Sequence, residues 1–118
     1  MGEEKEETHI AIFNGKVIRR KLVNNEWFFS VVDIVGVLTE SEDPNDYWYR
    51  LKKRESETSE TQLSTFCRQL KLKSNDGKEY ETDCADTEGI FRIIQSIPSK
   101  KAEPFKRWLA KVGYERIQ

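Results

Sequence analysis

The alternation of apolar and polar residues over the first 30 positions predicts three short antiparallel strands. Residues 8–13 form the first strand and residues 16–23 the second, because the Asn-Gly pair between them accepts positive φ in a tight turn. An Asn-Asn pair at 24–25 then turns the chain into a third strand at 26–29. We therefore expect a β-meander with one face available to a helix.

Apolar residues at helical spacing predict two helices after the meander. Ser30 followed by Asp33 resembles a capping box with Asp in place of Glu, and apolar residues continue to Leu38. We expect Asp33 to serve this helix cap, and the helix to be largely buried because it is apolar on nearly all sides. A second helix at about 44–54 directs aromatic and leucine side chains inward and Arg and Lys side chains outward.

The segment after residue 54 predicts a loop followed by a third helix. Residues 55–62 are rich in Glu, Ser, Thr and Gln, which is typical of a mobile loop. Apolar residues then recur at i, i+3, i+4 and i+7, which predicts an amphipathic helix over 63–70. The residues that carry this spacing are Leu63, Phe66, Cys67 and Leu70.

A β-hairpin is predicted around residues 75–77. A three-residue loop with Gly77 in the left-handed region places Leu72 opposite Tyr80 and Lys73 opposite Glu79. A two-residue loop would instead oppose Leu72 to a glutamate, so apolar and charge matching favour the odd-length loop.

The C-terminal third predicts two further amphipathic helices. The first begins at Asp86 or Thr87, either of which suits an N-cap, and is stopped by Pro98. The second begins at about Glu103 and ends at Gly113.

These elements predict a single α+β domain. It combines a small antiparallel β-meander and a β-hairpin with about five short α-helices over residues 8–118, and residues 1–7 form an acidic, disordered tail. A chain of 118 residues suits one domain. The sequence contains no apolar run of 18 residues, and its acidic N-terminus differs from a signal or transit peptide, so we expect a cytoplasmic protein without membrane contact.

The sequence offers little for catalysis or metal binding. Cys67 and Cys84 stand 17 residues apart, and His9 is the single histidine, too few ligands for a zinc site. A Ser-His-Asp or Cys-His centre needs a positioned imidazole, and the six scattered glycines form no phosphate-binding loop. We expect two cysteines that behave as small apolar side chains, no metal or cofactor, and no enzymatic activity.

The charges are grouped along the chain although the net charge is only −1. Residues 1–7 carry a net charge of −3, which leaves +2 on the rest. Three basic blocks interrupted by acidic segments indicate either a solvated surface or a polyanion-binding face. We single out as candidate DNA-binding residues Arg19, Arg20, Lys21, Arg50, Lys53, Arg54, Lys106, Arg107 and Lys111.

Several segments resemble the N-terminal domain of the BRO family (Bro-N). They are Phe-Asn-Gly at 13–15, Trp-Phe-Phe-Ser-Val-Val-Asp-Ile-Val at 27–35, and Glu-Gly-Ile-Phe-Arg-Ile-Ile at 88–94. The stretch at 99–109 is similar to the family's Ser…Ala-x-x-Phe-x-x-Trp signature. Together they cover the chain from about residue 10 to 112, and the C-terminal ending resembles relatives described as DNA-damage-inducible protein D.

The resemblance implies a DNA-binding regulatory domain of prophage or viral antirepressor type. Nucleoid association would follow if the domain binds DNA. The acidic N-terminus and the acidic block at 40–46 leave a second interpretation open, a protein-interaction module that binds a repressor or a DNA-repair protein without touching DNA. The sequence also leaves open whether the chain forms a homo-oligomer.

Overall fold

The computed structural model describes residues 7–115. Its five strands are β1 (Thr8–Phe13), β2 (Lys16–Val23), β3 (Glu26–Ser30), β4 (Arg68–Lys73) and β5 (Glu79–Asp86). Its four α-helices are α1 (Val31–Thr39), α2 (Pro44–Thr58), α3 (Thr87–Ile94) and α4 (Ala102–Val112), and a single 3₁₀ turn lies at Leu63–Phe66. The strands form one antiparallel sheet in the order β1-β2-β3-β5-β4, which confirms the α+β class.

The meander forms as predicted because its two turns contain residues that tolerate positive φ. Asn14 and Gly15 have φ of 49° and 76°, and Asn24 and Asn25 have φ of 52° and 64°. The predicted acidic tail at 1–7 lies, except for the exposed Glu7, outside the described residues.

The predicted hairpin is confirmed together with its register. Leu72 pairs with Tyr80 and Lys73 with Glu79 across β4 and β5. Gly77 has φ of 85°, the left-handed conformation that the three-residue loop requires.

The predicted helix over 63–70 is wrong. The 3₁₀ turn ends at Phe66, Cys67 is extended with φ −113° and ψ 152°, and the chain enters β4 at Arg68. Leu70 and Leu72 alternate with exposed residues along this strand, and both are buried. Four apolar positions at helical spacing therefore belong to one helical turn and a strand, which periodicity over so short a segment does not separate.

Two helix ends also differ from the prediction. Helix α2 continues to Thr58, so residues 55–58 are helical and not part of a loop. The Glu55 carboxylate accepts a hydrogen bond from the Ser96 hydroxyl at 2.9 Å, a tertiary contact that supports the extra turn. Helix α3 ends at Ile94, earlier than Pro98, and tight turns carry the chain onward.

Apolar side chains are buried on both faces of the sheet. Neighbouring residues of a strand point to opposite faces, so Phe28 and Phe29 enter different clusters. Phe29 joins the main cluster with Ile90 and Phe105, which lie on the helices. Phe28 joins a smaller cluster that also contains Val23, Leu70, Leu72 and Cys84. Burying one such side chain stabilises the fold by about 1.5–3 kcal/mol.

None of the helices within residues 7–115 is long and apolar enough to cross a membrane.

Candidate nucleic-acid interface

The three basic residues of β2, which we call the strand block (Arg19, Arg20 and Lys21), are engaged in internal contacts. The Arg19 guanidinium donates to both carboxylate oxygens of Asp33 at 2.8 and 2.9 Å, and the Arg19 backbone N–H donates to the same carboxylate at 2.9 Å. The hydrogen bonds that Arg19 donates to the Asp33 carboxylate raise the pKa of Arg19. These contacts fasten β2 to the first turn of α1.

The role of Asp33 therefore differs from the predicted cap. Ser30 does cap α1, because its hydroxyl oxygen accepts from the Asp33 backbone N–H at 3.3 Å. The Asp33 carboxylate binds Arg19 and does not complete a reciprocal capping box. The sequence could not indicate this, because Arg19 and Asp33 meet only once the sheet has formed.

Arg20 and Lys21 also have partners within the protein. Arg20 stacks on Trp27, with its guanidinium carbon 3.9 Å from the ring centroid, and pairs with Glu115 at 2.9 Å. Lys21 is only 4% exposed, and its ammonium donates to the backbone carbonyl of Lys71. The structure thus gives the strand block a structural role and offers no support for phosphate contact by these residues.

Helix α2 presents the second basic block to solvent. Asp43 caps the helix by accepting from the Asp46 backbone N–H at 3.1 Å, and Pro44 occupies the first turn. Trp48 and Leu51 are buried at 3% and 1% exposure, as the inward-facing pattern predicts.

The outer α2 face, defined as Arg50, Lys53 and Arg54, is exposed. The Arg50 side chain is 79% exposed and pairs with Asp46 at 2.9 Å. Lys53 forms no ion pair with any described residue. The Arg54 side chain is 53% exposed and donates to the Ser96 carbonyl at 3.3 Å. Partners of this kind hold exposed cations only weakly, so these three groups remain able to contact an anion.

A polar cluster around Asp83 holds α2 on the sheet. The Asp83 carboxylate accepts from the Trp48 indole at 2.8 Å, from the Lys52 ammonium at 3.1 Å and from the Gln69 amide at 2.7 Å. Burial disfavours the charged form of Asp83, but these hydrogen bonds outweigh it and lower the pKa of the carboxyl. The helix that carries the outer α2 face is therefore anchored to the sheet by hydrogen bonds from Trp48 and Lys52 to Asp83.

The third block lies on α4, and we call Lys106, Arg107 and Lys111 the α4 face. Arg107 and Lys111 are exposed, and Lys106 lies 3.5 Å from Glu103. Helix α4 packs mainly on α3 and β1, whereas α2 packs mainly on α1 and the 3₁₀ turn. The α4 face and the outer α2 face therefore lie on helices that pack against different elements, while Arg20 of the strand block donates to the Val112 carbonyl of α4 at 3.3 Å.

Two arginines that sequence reasoning did not single out line one cleft of about 360 Å³. Arg68 lies over the Phe28 ring, 5.2 Å from its centroid, and Arg92 lies 6.0 Å from the centroid of Phe66. Both side chains belong to exposed residues, and neither forms an ion pair with a described residue. Arg92 lies on α3, four residues before Ser96, whose carbonyl accepts a hydrogen bond from Arg54 of the outer α2 face.

The sequence did not indicate this cleft, because neither arginine belongs to one of the predicted basic blocks. Arg68 fell within the segment predicted to be the third helix, and it begins a strand instead. Arg92 appeared only as part of a stretch similar to Bro-N, without a charge block to mark it.

The two cysteines are wholly or partly buried, and Asp86 is hydrogen-bonded within the fold. Burial raises the pKa of both Cys67 and Cys84 to about 12, so neither is a ready thiolate at neutral pH. Asp86 caps α3 by accepting from the Gly89 backbone N–H at 2.8 Å. No group of three His, Cys, Asp or Glu side chains suited to a metal ion occurs within residues 7–115.

Comparison with known proteins agrees with the resemblance noted in the sequence. A family model, Bro-N (BRO family, N-terminal domain), matches residues 17–114. No curated protein and no solved structure matches the chain significantly. Bro-N is generally a DNA-binding domain of phage antirepressor-like proteins. Because the match covers nearly the whole chain, the protein belongs to the BRO family and contains its N-terminal domain.

Proposed function

We propose that this protein is a DNA-binding regulatory domain of prophage or viral antirepressor type, and that it binds rather than catalyses. The observation that carries the proposal is the outer α2 face. It presents two arginines and a lysine on a helix whose opposite side is anchored by Trp48 and by Lys52 through Asp83. A rigid helix with exposed cations is suited to positioning on DNA phosphates.

The energetics favour exchange of the existing partners for phosphate. The Arg50–Asp46 pair is solvent-exposed, and pairs of this kind contribute about 0.2–1 kcal/mol. Replacing Asp46 by a phosphate therefore loses little, while each neutralised phosphate releases condensed counterions. Because the net charge of the whole chain is −1, the attraction is local and should fall steeply with salt.

The cleft of Arg68 and Arg92 supplies two further exposed cations. Both guanidinium groups lack carboxylate partners among the described side chains and lie against aromatic rings, which orients them without neutralising them. Exposed Glu88 also lines the cleft, and its negative charge would oppose phosphate binding there. We therefore assign the cleft a contribution secondary to that of the outer α2 face.

The biological setting that we propose follows from the same contacts. The domain would act in the cytoplasm, associated with the nucleoid when bound to DNA. Prophage control and the DNA-damage response are the proposed contexts. Both rest on the family assignment and on the likeness of the C-terminal ending.

Fluorescence anisotropy with duplex DNA at about 50 and about 200 mM salt tests the proposal. The test variant changes all three residues of the outer α2 face to Gln. We expect it to bind more weakly on unrelated sequences, with a log–log salt slope flatter by about 0.9 for each lost phosphate contact. If one arginine reads a base, discrimination at one position should also fall by about 1–3 kcal/mol.

A matched control removes the same charge elsewhere. Lys71, Lys73 and Lys78 are exposed on the β4–β5 hairpin, and their change to Gln should leave the salt slope nearly unaltered. A melting curve accompanies each titration, since an unfolded variant would mimic lost affinity. A folded wild-type protein that does not bind at the lower salt refutes the proposal, and loss only in an α4-face variant moves the interface to α4.

The acidic entrance to α2 supports a second candidate function. Glu42 and Asp43 are exposed at the N-terminal end of the helix whose later turns are basic, so this end would repel DNA and attract a basic protein surface. A pull-down with and without nuclease separates the candidates. A repressor or repair protein that stays bound after nuclease treatment supports direct protein binding, and partners that disappear support DNA.

A further inference from the structure

The edge strand β1 carries an exposed apolar stripe. Ile10 and Ile12 project from β1 at 54% and 50% exposure, and Val17 of β2, the register partner of Ile12, is 52% exposed. We call these three residues the β1 stripe. They are the exposed large aliphatic side chains among residues 7–115, since the other exposed large apolar residues there are tyrosines.

The two edge strands of the sheet, β1 and β4, differ in charge. The edge strand β4 has the sequence Arg-Gln-Leu-Lys-Leu-Lys, and its three basic residues discourage pairing with another strand. The edge strand β1 has the sequence Thr-His-Ile-Ala-Ile-Phe, without Lys, Pro or Gly. Its outer edge has no strand partner among the described residues. A six-residue, unprotected, apolar edge is suited to strand addition.

We propose that β1 pairs antiparallel with β1 of a second copy of this chain, forming a two-fold dimer with one continuous ten-stranded sheet. With Ala11 at the two-fold axis, Ile10 lies opposite Ile12 of the partner subunit. Residues directly opposite in antiparallel strands share a face, so the two β1 stripes join into one apolar surface.

Charge complementarity selects the antiparallel arrangement and a second copy as the occupant. Glu7 precedes β1 and Lys16 follows its turn, so exposed charges of opposite sign lie at the two ends of the strand. Antiparallel pairing places Glu7 beside the strand end that carries Lys16 of the partner subunit. Parallel pairing would instead bring like charges together, which is unfavourable.

The size of the contact predicts a weak dimer. Three half-exposed aliphatic side chains and one strand edge supply less than the roughly 800 Å² per partner of a standard interface. We therefore expect dissociation constants of about 1–100 μM, so that monomer and dimer exchange with protein concentration. The dimer would present two outer α2 faces, but it does not depend on DNA binding.

Sedimentation velocity from about 1 to about 500 μM protein, without DNA, tests the dimer against the expected range of affinity. The mass of the wild-type chain should rise from 13.9 kDa towards twice that value. Ile12→Lys should keep the protein monomeric over the whole range, because it places a charge in the joined stripe. Its fold should persist, since the side chain is half exposed, and a melting curve verifies this.

Tyr114→Lys is the matched control, because Tyr114 is 73% exposed and lies outside the stripe. It should dimerise like the wild-type chain. A wild-type protein that stays at 13.9 kDa at the highest concentration overturns the proposal. So does a dimer that survives Ile12→Lys, or one that is lost only in Tyr114→Lys.

Discussion

Two Arg–Asp ion pairs have nearly equal N–O distances, but their coupling free energies should differ several-fold because their side chains differ in solvent exposure. The Arg19–Asp33 pair spans 2.8 Å with side chains 20% and 17% exposed. The Arg50–Asp46 pair spans 2.9 Å with side chains 79% and 46% exposed. The perturbation is a double-mutant cycle on each pair, with Arg→Met and Asp→Asn substitutions.

The structure sets the expected magnitudes. At an effective dielectric constant of about 20, opposite charges 4 Å apart attract by about 4 kcal/mol, and partial desolvation offsets part of this. For Arg19 and Asp33 we expect a coupling of about 2 kcal/mol, because hydrogen bonds to charged groups contribute about 1.5–3 kcal/mol. For Arg50 and Asp46, an exposed i,i+4 pair, we expect about 0.3–0.5 kcal/mol.

Urea denaturation at two ionic strengths measures both couplings. Salt at about 0.5 M should remove most of the exposed coupling and leave most of the Arg19–Asp33 coupling, since partly buried pairs are screened less. Equal couplings for the two pairs would show that burial does not strengthen the Arg19–Asp33 pair. So would an Arg19–Asp33 coupling below about 0.5 kcal/mol, the range of an exposed pair.

Three further predictions follow from local contacts. Gly113→Ala should destabilise the fold by about 1–3 kcal/mol in thermal or urea melts, because a methyl group there overlaps the Thr87 hydroxyl. Cys67 and Cys84, whose thiol pKa values are raised to about 12, should react with a disulfide reagent at pH ~8 much more slowly in the native than in the urea-unfolded chain. Equal rates would contradict their burial. The pKa of Asp83 is lowered from 3.8, so its charge stabilises the fold above that pH and this contribution is lost as the pH falls below it. Urea melts from about pH 6 to about pH 3 should therefore show the wild-type advantage over Asp83→Asn shrinking.

The parts of the fold that local chemistry determines could be predicted from the sequence. The Asn-Gly and Asn-Asn turns define the meander, and the pairing of Leu72 with Tyr80 follows from apolar and charge matching across the hairpin. The start of β4 could not be predicted in this way. Leu63 and Leu70 suit either one buried helix or a helical turn followed by a strand, and only pairing with β5 decides between them.

The same distinction between local and long-range determinants applies to the candidate site. The exposure of the outer α2 face follows from helical periodicity, because its residues lie opposite the buried Trp48 and Leu51. Whether a basic residue on a strand is free depends on partners distant in sequence. Arg20 is paired with Glu115, 95 residues away, and no local pattern predicts that contact.

A two-dimensional ¹H–¹⁵N NMR titration with duplex DNA at about 50 mM salt tests whether the outer α2 face binds DNA, because it locates the contact residue by residue. We expect the amide signals of the outer α2 face to change first, together with those of Arg92, while the signals of the strand block stay in place. Changes confined to α4, or to the strand block, would contradict the assigned interface. A spectrum that does not change at saturating DNA would contradict DNA binding by this domain.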